Sequence, residues 1–278
     1  MENKLRPEPI WELTSQEYED IVSSLRGFDE LEEILTFFMP GEYGFSFGPE
    51  SKFDKGIIAI KDASDFLYDA QWYLIHALCF IKSLQDPNDR VVITRKYLEP
   101  SYLTIYSSLE CLAKGIEILL AIDLDKYGKN MKPTLFAKVG KALQIDFQDL
   151  EITKASQRLF LDENILEIIE FRRSWVHNQR IQIKDDAWPI IREQPFWKKG
   201  ANFHQYPIGA ECRSHHYDID EYSNIIRLAF NAYCDYFKEA LSFLKDHVCK
   251  ERNIEFAVEK KKTDDGKTHF KITTNSKI

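Results

Sequence analysis

Apolar residues recur at intervals of three and four along most of this chain, a period that predicts helices. Thr14 with Glu17 three positions on forms a capping-box signature. Tyr18, Ile21, Val22, Leu25, Phe28, Leu31 and Leu35 follow at helical spacing, so one helix or a broken pair is expected before "MPGEYG". The glycine-rich residues 40–60 are expected as a loop with one short strand at "GIIAI". Asp62 is expected to cap a second helix whose Leu67, Ala70, Leu74, Ala77, Ile81 and Leu84 share a face, with "DPND" as its stop. Pro100, well suited to a first helical turn, is expected to open a third. There Ile105, Leu109, Leu112, Ile116 and Leu119 form a stripe, and Thr104, Glu110, Lys114 and Glu117 lie opposite.

A shorter helix is expected from Pro133 through Leu143, and another over 161–180. Asp218 with Glu221 predicts the start of a last long helix, in which Tyr222, Ile226, Ala229, Tyr233, Phe237, Ala240 and Leu244 keep the rhythm. Between these two, residues 184–217 hold prolines and tryptophans without a period, as a long loop of functional kind would. The closing "IEFAVEKKKTDDGKTHFKITT" alternates around Asp265-Gly266, a hairpin turn pair. The fold class expected is all-α, in three parts. These are an N-terminal helical extension and loop over 1–60, a helical bundle over 61–252 that includes loop 184–217, and a small C-terminal β-hairpin tail over 253–278.

Composition narrows the function. The chain has 278 residues, a formal charge of −8 and 44% hydrophobic residues, enough for a sizeable core. Its acidic balance provides no broad basic field for nonspecific polyanion binding, and only a local basic site fits. No apolar run has the length of a signal segment or a membrane span, so a cytoplasmic protein with no membrane partner is expected. The five cysteines follow no framework spacing, and Cys79, Cys111 and Cys234 fall inside helical patterns as small hydrophobes. His204, Cys212, His215 and His216 lie close in sequence without a closed zinc-site spacing, so no metal and no cofactor is expected. His76 reads as a satisfied boundary histidine, and Glu110 with Lys114 as a solvated pair.

One stretch breaks the pattern. In "ILEIIEFRRSWVHNQR", Ile165, Ile168, Ile169, Phe171, Trp175 and Val176 span one arc of a helical wheel, and Arg172 falls near its centre. Arg173 lies at the arc's edge and shares a face with His177, whereas Arg172 and His177 are about 140° apart. Glu167, Glu170, Ser174 and Asn178 make up the polar side. A guanidinium keeps its proton and costs roughly several kcal/mol to desolvate alone, so something must face Arg172. Two readings stay open: a carboxylate inside the bundle, or a cleft or subunit interface where the charge meets an anion.

The segment Arg172-Arg173-Ser174-Trp175-Val176-His177 resembles the signature of the HEPN superfamily, an arginine, a polar residue, three variable residues and a histidine. The lead-in "LEIIEF", the earlier "SYLTIYSSLECLAKGIEILL" and the long closing helix resemble the all-helical bundle of that family. The resemblance covers about residues 65–250. It implies a homodimer whose motif helices meet across a two-fold axis, and a metal-independent endoribonuclease, toxin or defence component, with RNA as substrate and an antitoxin as further partner. His177 would be the general acid or base and Arg172 the phosphate holder, with Arg173, Asn178 and Tyr106 contacting substrate. The family also includes noncatalytic members that bind nucleotides or act as scaffold modules, the alternative this chain must be tested against. Arg173 stands where many members carry a small polar residue.

Overall fold

The computed structural model describes residues 12–38, 52–127, 134–176, 182–183, 216–262 and 268–276. Eight α-helices dominate them: α1 (Ser15–Ser23), α2 (Asp29–Phe37), α3 (Lys52–Ser83), α4 (Pro87–Leu119), α5 (Leu135–Asp146), α6 (Glu151–Phe160), α7 (Glu163–Val176) and α8 (Ile219–Arg252). A 3₁₀ turn at Leu124–Tyr127 links α4 towards α5. Two-residue strands β1 (Gln182–Ile183) and β2 (His216–Tyr217) pair in parallel, and β3 (Ile254–Lys262) runs antiparallel to β4 (Thr268–Ser276). The fold is all-α in its bulk, and no described helix is long and apolar enough to cross a membrane.

The N-terminal pattern yields the broken pair of helices. Thr14 accepts the Glu17 N–H at 3.3 Å while the Glu17 carboxylate accepts the Thr14 N–H at 2.9 Å. The turn after α1 is clamped to α8: Asn231 accepts the Arg26 N–H at 2.8 Å and donates to the Ser24 carbonyl at 3.0 Å. Phe28, at the head of α2, stacks on Tyr68 of α3 with centroids 4.0 Å apart.

Helices α3 and α4, of 32 and 33 residues, form an antiparallel hairpin about 50 Å long across a three-residue connection. Three expectations change here. The "GIIAI" stretch is helix rather than strand, Asp62 lies inside α3 rather than capping it, and α4 begins at Pro87, thirteen residues before Pro100. The glycines explain the first two. A Cβ on Gly56 would stand 2.7 Å from Leu119 Cγ, and one on Gly115 would stand 2.7 Å from Ile60 Cγ1 and 3.3 Å from the Gly56 carbonyl oxygen. These glycines let two helix backbones approach closely, which a sequence reading confuses with a turn. Pro100 is carried inside α4 although it has no N–H to give the preceding turn. Around it the Ser101 hydroxyl donates to the Leu98 carbonyl and the Thr104 hydroxyl to the Pro100 carbonyl, both at 2.8 Å.

Helix α8 is the central mast. Asp218 caps it, accepting the Glu221 N–H at 2.7 Å, and it packs against α2, α3, α4, α6 and α7. Ile226, Ala229, Phe230, Tyr233, Phe237, Ala240, Leu241, Leu244 and Val248 are fully enclosed. Hydroxyls tie α8 to α4 in the core: Ser108 gives its proton to the Ala63 carbonyl at 2.5 Å, so Tyr233, 2.8 Å away, is the donor to Ser108. The four cysteines among the described residues are free, and burial raises the Cys79 thiol to about 11, which keeps it a neutral, small core group.

The close crossing of α3 and α4 yields a direct test. Gly115→Val should destabilise the protein by about 1–3 kcal/mol through overpacking. Urea unfolding of wild type and variant measures it, and an unchanged midpoint would contradict the tight crossing.

Candidate functional site

The site grows from the start of α7. Asp162 accepts the N–H groups of Asn164 and Ile165, both at 3.0 Å, which fixes where the helix begins. From there Ile165, Ile168 and Phe171 are buried, and Ile169 is half-buried. Phe171 meets Tyr222 of α8 edge to face at 5.0 Å and Tyr102 of α4 at 5.7 Å. With Phe171 seated, Arg172 follows at the rim of the core, half-buried.

What faces the guanidinium inside the chain is a ring rather than a carboxylate. Among the described residues no carboxylate pairs with Arg172; its Cζ lies over the Tyr106 ring, 4.8 Å from the centroid. A cation over an aromatic face contributes about 0.5–2 kcal/mol, depending on desolvation. Removing a guanidinium from water costs roughly several kcal/mol, so the ring alone does not offset full burial. Arg172 accordingly stays half-exposed. The N–H fork of a guanidinium is the donor set that a phosphate or carboxylate takes.

Tyr106 is itself 8% exposed, held between α4, α5 and α7. Burial chiefly, then the Glu110 charge, lift its phenol above the ordinary tyrosine range, while the Arg172 cation and the Thr134 hydroxyl pull it back. Glu110 is the residue the sequence placed wrongly. Lys114 pairs with Glu117 at 2.7 Å, not with Glu110. Glu110 reaches α5 instead, where its two oxygens accept the N–H groups of Leu135 at 3.0 Å and Phe136 at 3.2 Å. The Thr134 hydroxyl accepts the Ala137 N–H at 3.2 Å, and its carbonyl accepts the Lys138 N–H at 3.1 Å. Three N–H groups at the start of α5 that lack an intrahelical partner are thus satisfied, two of them by a carboxylate from another helix at its positive end.

Of the residues expected at the site, the structure brings Arg172 and Tyr106 together. His177 and Asn178, and the side chain of Arg173, lie outside the described residues. So do His204, Cys212 and His215 of the long loop and the side chain of His216. Among the described residues no group of three His, Cys, Asp or Glu side chains could hold a metal ion. Tyr102 is core, and His76 is a boundary residue whose Nδ1 donates to the Trp72 carbonyl at 2.8 Å beneath the Trp72 ring. Glu110 and Thr134 escaped the sequence reading. The one signal was that α5 carries no acidic residue in its own first turn, so its cap had to come from elsewhere.

Comparison with known proteins gives no further support from homology: no family model, no curated protein and no solved structure matches this chain.

The two assignments of Glu110 separate in stability measurements. Glu110→Ala should cost about 1–2 kcal/mol, as loss of a helix cap does, and Lys114→Ala under about 1 kcal/mol, as loss of an exposed ion pair does. Denaturant midpoints in the reverse order would return Glu110 to the solvated face.

Proposed function

We propose that this chain is a metal-independent endoribonuclease of HEPN type, with a HEPN-like bundle, an N-terminal helical extension and a C-terminal hairpin. The observation that supports this reading is the guanidinium of Arg172, resting on Tyr106 at 4.8 Å and met by no carboxylate among the described residues. A permanent cation at the end of an apolar stripe suits one phosphate group. It does not require the chain as a whole to be basic.

The reaction follows from the residue types. One imidazole, that of His177, takes the proton of a ribose 2′-hydroxyl as the oxygen attacks the adjacent phosphorus. The bond from phosphorus to the 5′-oxygen breaks, and that oxygen receives a proton from a second imidazole. The products are a 2′,3′-cyclic phosphate and a 5′-hydroxyl. Arg172 stabilises the added negative charge on the phosphoryl oxygens. The ~140° that separates Arg172 from His177 on a straight helix is resolved if two chains associate, so that Arg172 of one serves beside His177 of the other. A homodimer supplies the two imidazoles as well. As a toxin or defence component in the cytoplasm, such an enzyme would be held in check by an antitoxin.

A noncatalytic reading has its own support: Arg172 over Tyr106 could hold an anion without any histidine, and the chain is acidic. In that reading the bundle is a nucleotide-binding or scaffold module.

Purified protein incubated with RNA in EDTA decides between them. Wild type should cleave, and His177→Ala should lose roughly 10²–10⁴ of the rate. Arg172→Ala should lose cleavage and RNA affinity together. Equal cleavage by wild type and His177→Ala, or none by either, overturns the enzyme. A thermal shift with nucleotides that disappears in Arg172→Ala would then establish the binding module.

A further inference from the structure

We infer that the outer face of α3 is a docking surface for a basic helical segment of a protein partner, with Trp72 as its anchor. The inference is independent of Arg172 and of the reading of this chain as a ribonuclease.

Ile58, Asp62, Asp65, Asp69 and Trp72 recur at intervals of four and three along α3, so they stand in one row about 21 Å long. All five are exposed, Ile58 by 49% and Trp72 by 52%, so no described element covers the row. Intervals of four and three form the seam that one helix offers to another. Trp72 is exposed yet braced. Its ring centroid lies 3.9 Å from that of His76, His76 lies 5.4 Å from Tyr97, and Tyr97 lies 5.3 Å from Phe80, a stack that runs from the surface into the core. A tryptophan already held in place loses little side-chain freedom when a partner covers it, and such residues carry much of the energy of protein interfaces.

The charge of the row selects the partner. Beside its three carboxylates stands Lys61, which pairs with Asp65 at 2.8 Å, and Lys96 of α4 borders the Trp72 end, its ammonium 5.7 Å from the Tyr97 centroid. Asp62 and Asp69 have no ion pair among the described residues. Aspartates at successive turns repel one another and would repel a phosphate backbone, whereas arginines on a facing helix would pair with them. Asp69 stands three residues before Trp72, on the adjoining turn, so an arginine that meets its carboxylate comes within reach of the indole, the best aromatic acceptor of a cation. The complement of the row is therefore a helix with apolar residues at its ends and cations between.

The competing account is a solvated helix face that no partner covers. The full chain is labelled with 5-fluorotryptophan, and the Trp72 ¹⁹F signal is assigned by its absence in Trp72→Phe. The probe is a synthetic helical peptide of alanine and glutamine that carries a row of leucine, three arginines and leucine at intervals of four and three. It should displace the Trp72 signal in a saturable way, and the same peptide with glutamate for arginine should leave the signal in place. Asp62→Asn with Asp69→Asn should weaken its affinity about tenfold, as loss of two ion pairs does. Trp72→Leu should weaken it about fivefold, as loss of a cation–π contact does. Asp149→Asn with Glu163→Gln removes the same charge from exposed positions at the starts of α6 and α7, and should change it less than about twofold. The aspartates of the row are exposed, so their variants test the surface even where Trp72→Leu lowers stability.

A Trp72 signal unmoved by the arginine peptide overturns the inference. Equal weakening by the two double variants does so too, because it reduces the binding to adhesion on an acidic chain. A signal that moves with a uridine oligomer, or with the concentration of the protein itself, and not with the arginine peptide overturns the basic helix and gives the face to RNA or to a second copy.

Discussion

Burial of one 34-residue helix along its whole length is the constraint on which the rest of this structure depends. Helix α8 would expose a continuous apolar surface in isolation, and five other helices are arranged to cover it. Because α8 is surrounded, two of its buried tyrosine hydroxyls take their partners from inside the core. Ser108 and Ser156 are these partners, for Tyr233 and Tyr236, at 2.8 and 3.1 Å. The hydrogen bonds that result are directional, and they fix α4 and α6 against the mast in a way that apolar contact alone would not. The position of α7, and with it Arg172, follows from Phe171 packing onto Tyr222 of the same helix.

The second constraint is the close crossing of α3 and α4. Where glycines face the partner helix, the backbones approach, and the long hairpin becomes a rigid wall. Tyr106 and Glu110 project from this wall. A site built on rigid helices holds its geometry better than one on loops. The support for Arg172 is therefore inherited from packing far along α4.

Elements with a repeating apolar stripe were legible in the sequence: both N-terminal helices, the long runs of α3 and α4, and α8 with its Asp218 cap. What failed has identifiable causes. Glycine signals both a turn and a close helix contact, and Gly56 is the second kind. Pro100 marks a helix start by local preference, yet α4 runs through it, and packing on α3 along its length outweighs the local cost. Helix α6 was not foreseen although Ile152, Ala155 and Leu159 hold helical spacing: it is only ten residues long, and Thr153 and Ser156 share its buried face. Arg172 was legible as an anomaly, and Tyr106 as its neighbour was not, since nothing in the spacing of residues 66 apart says which ring meets which cation.

Glu110 shows the same limit in sharper form. The rule that pairs residues four apart on a helix assigned it to Lys114, a contact worth a few tenths of a kcal/mol. A carboxylate that meets two unsatisfied N–H groups at a helix start gains more, through charge-assisted hydrogen bonds at the positive end of a dipole. The stronger, nonlocal partner wins, and Lys114 turns to Glu117. That exchange brings a negative charge beside the Tyr106 phenol. The guanidinium lies over the same ring, at the rim rather than neutralised in the interior. An arginine paired directly with Glu110 would have spent its charge on the fold. As it is, the carboxylate serves α5 and the cation rests on an aromatic ring.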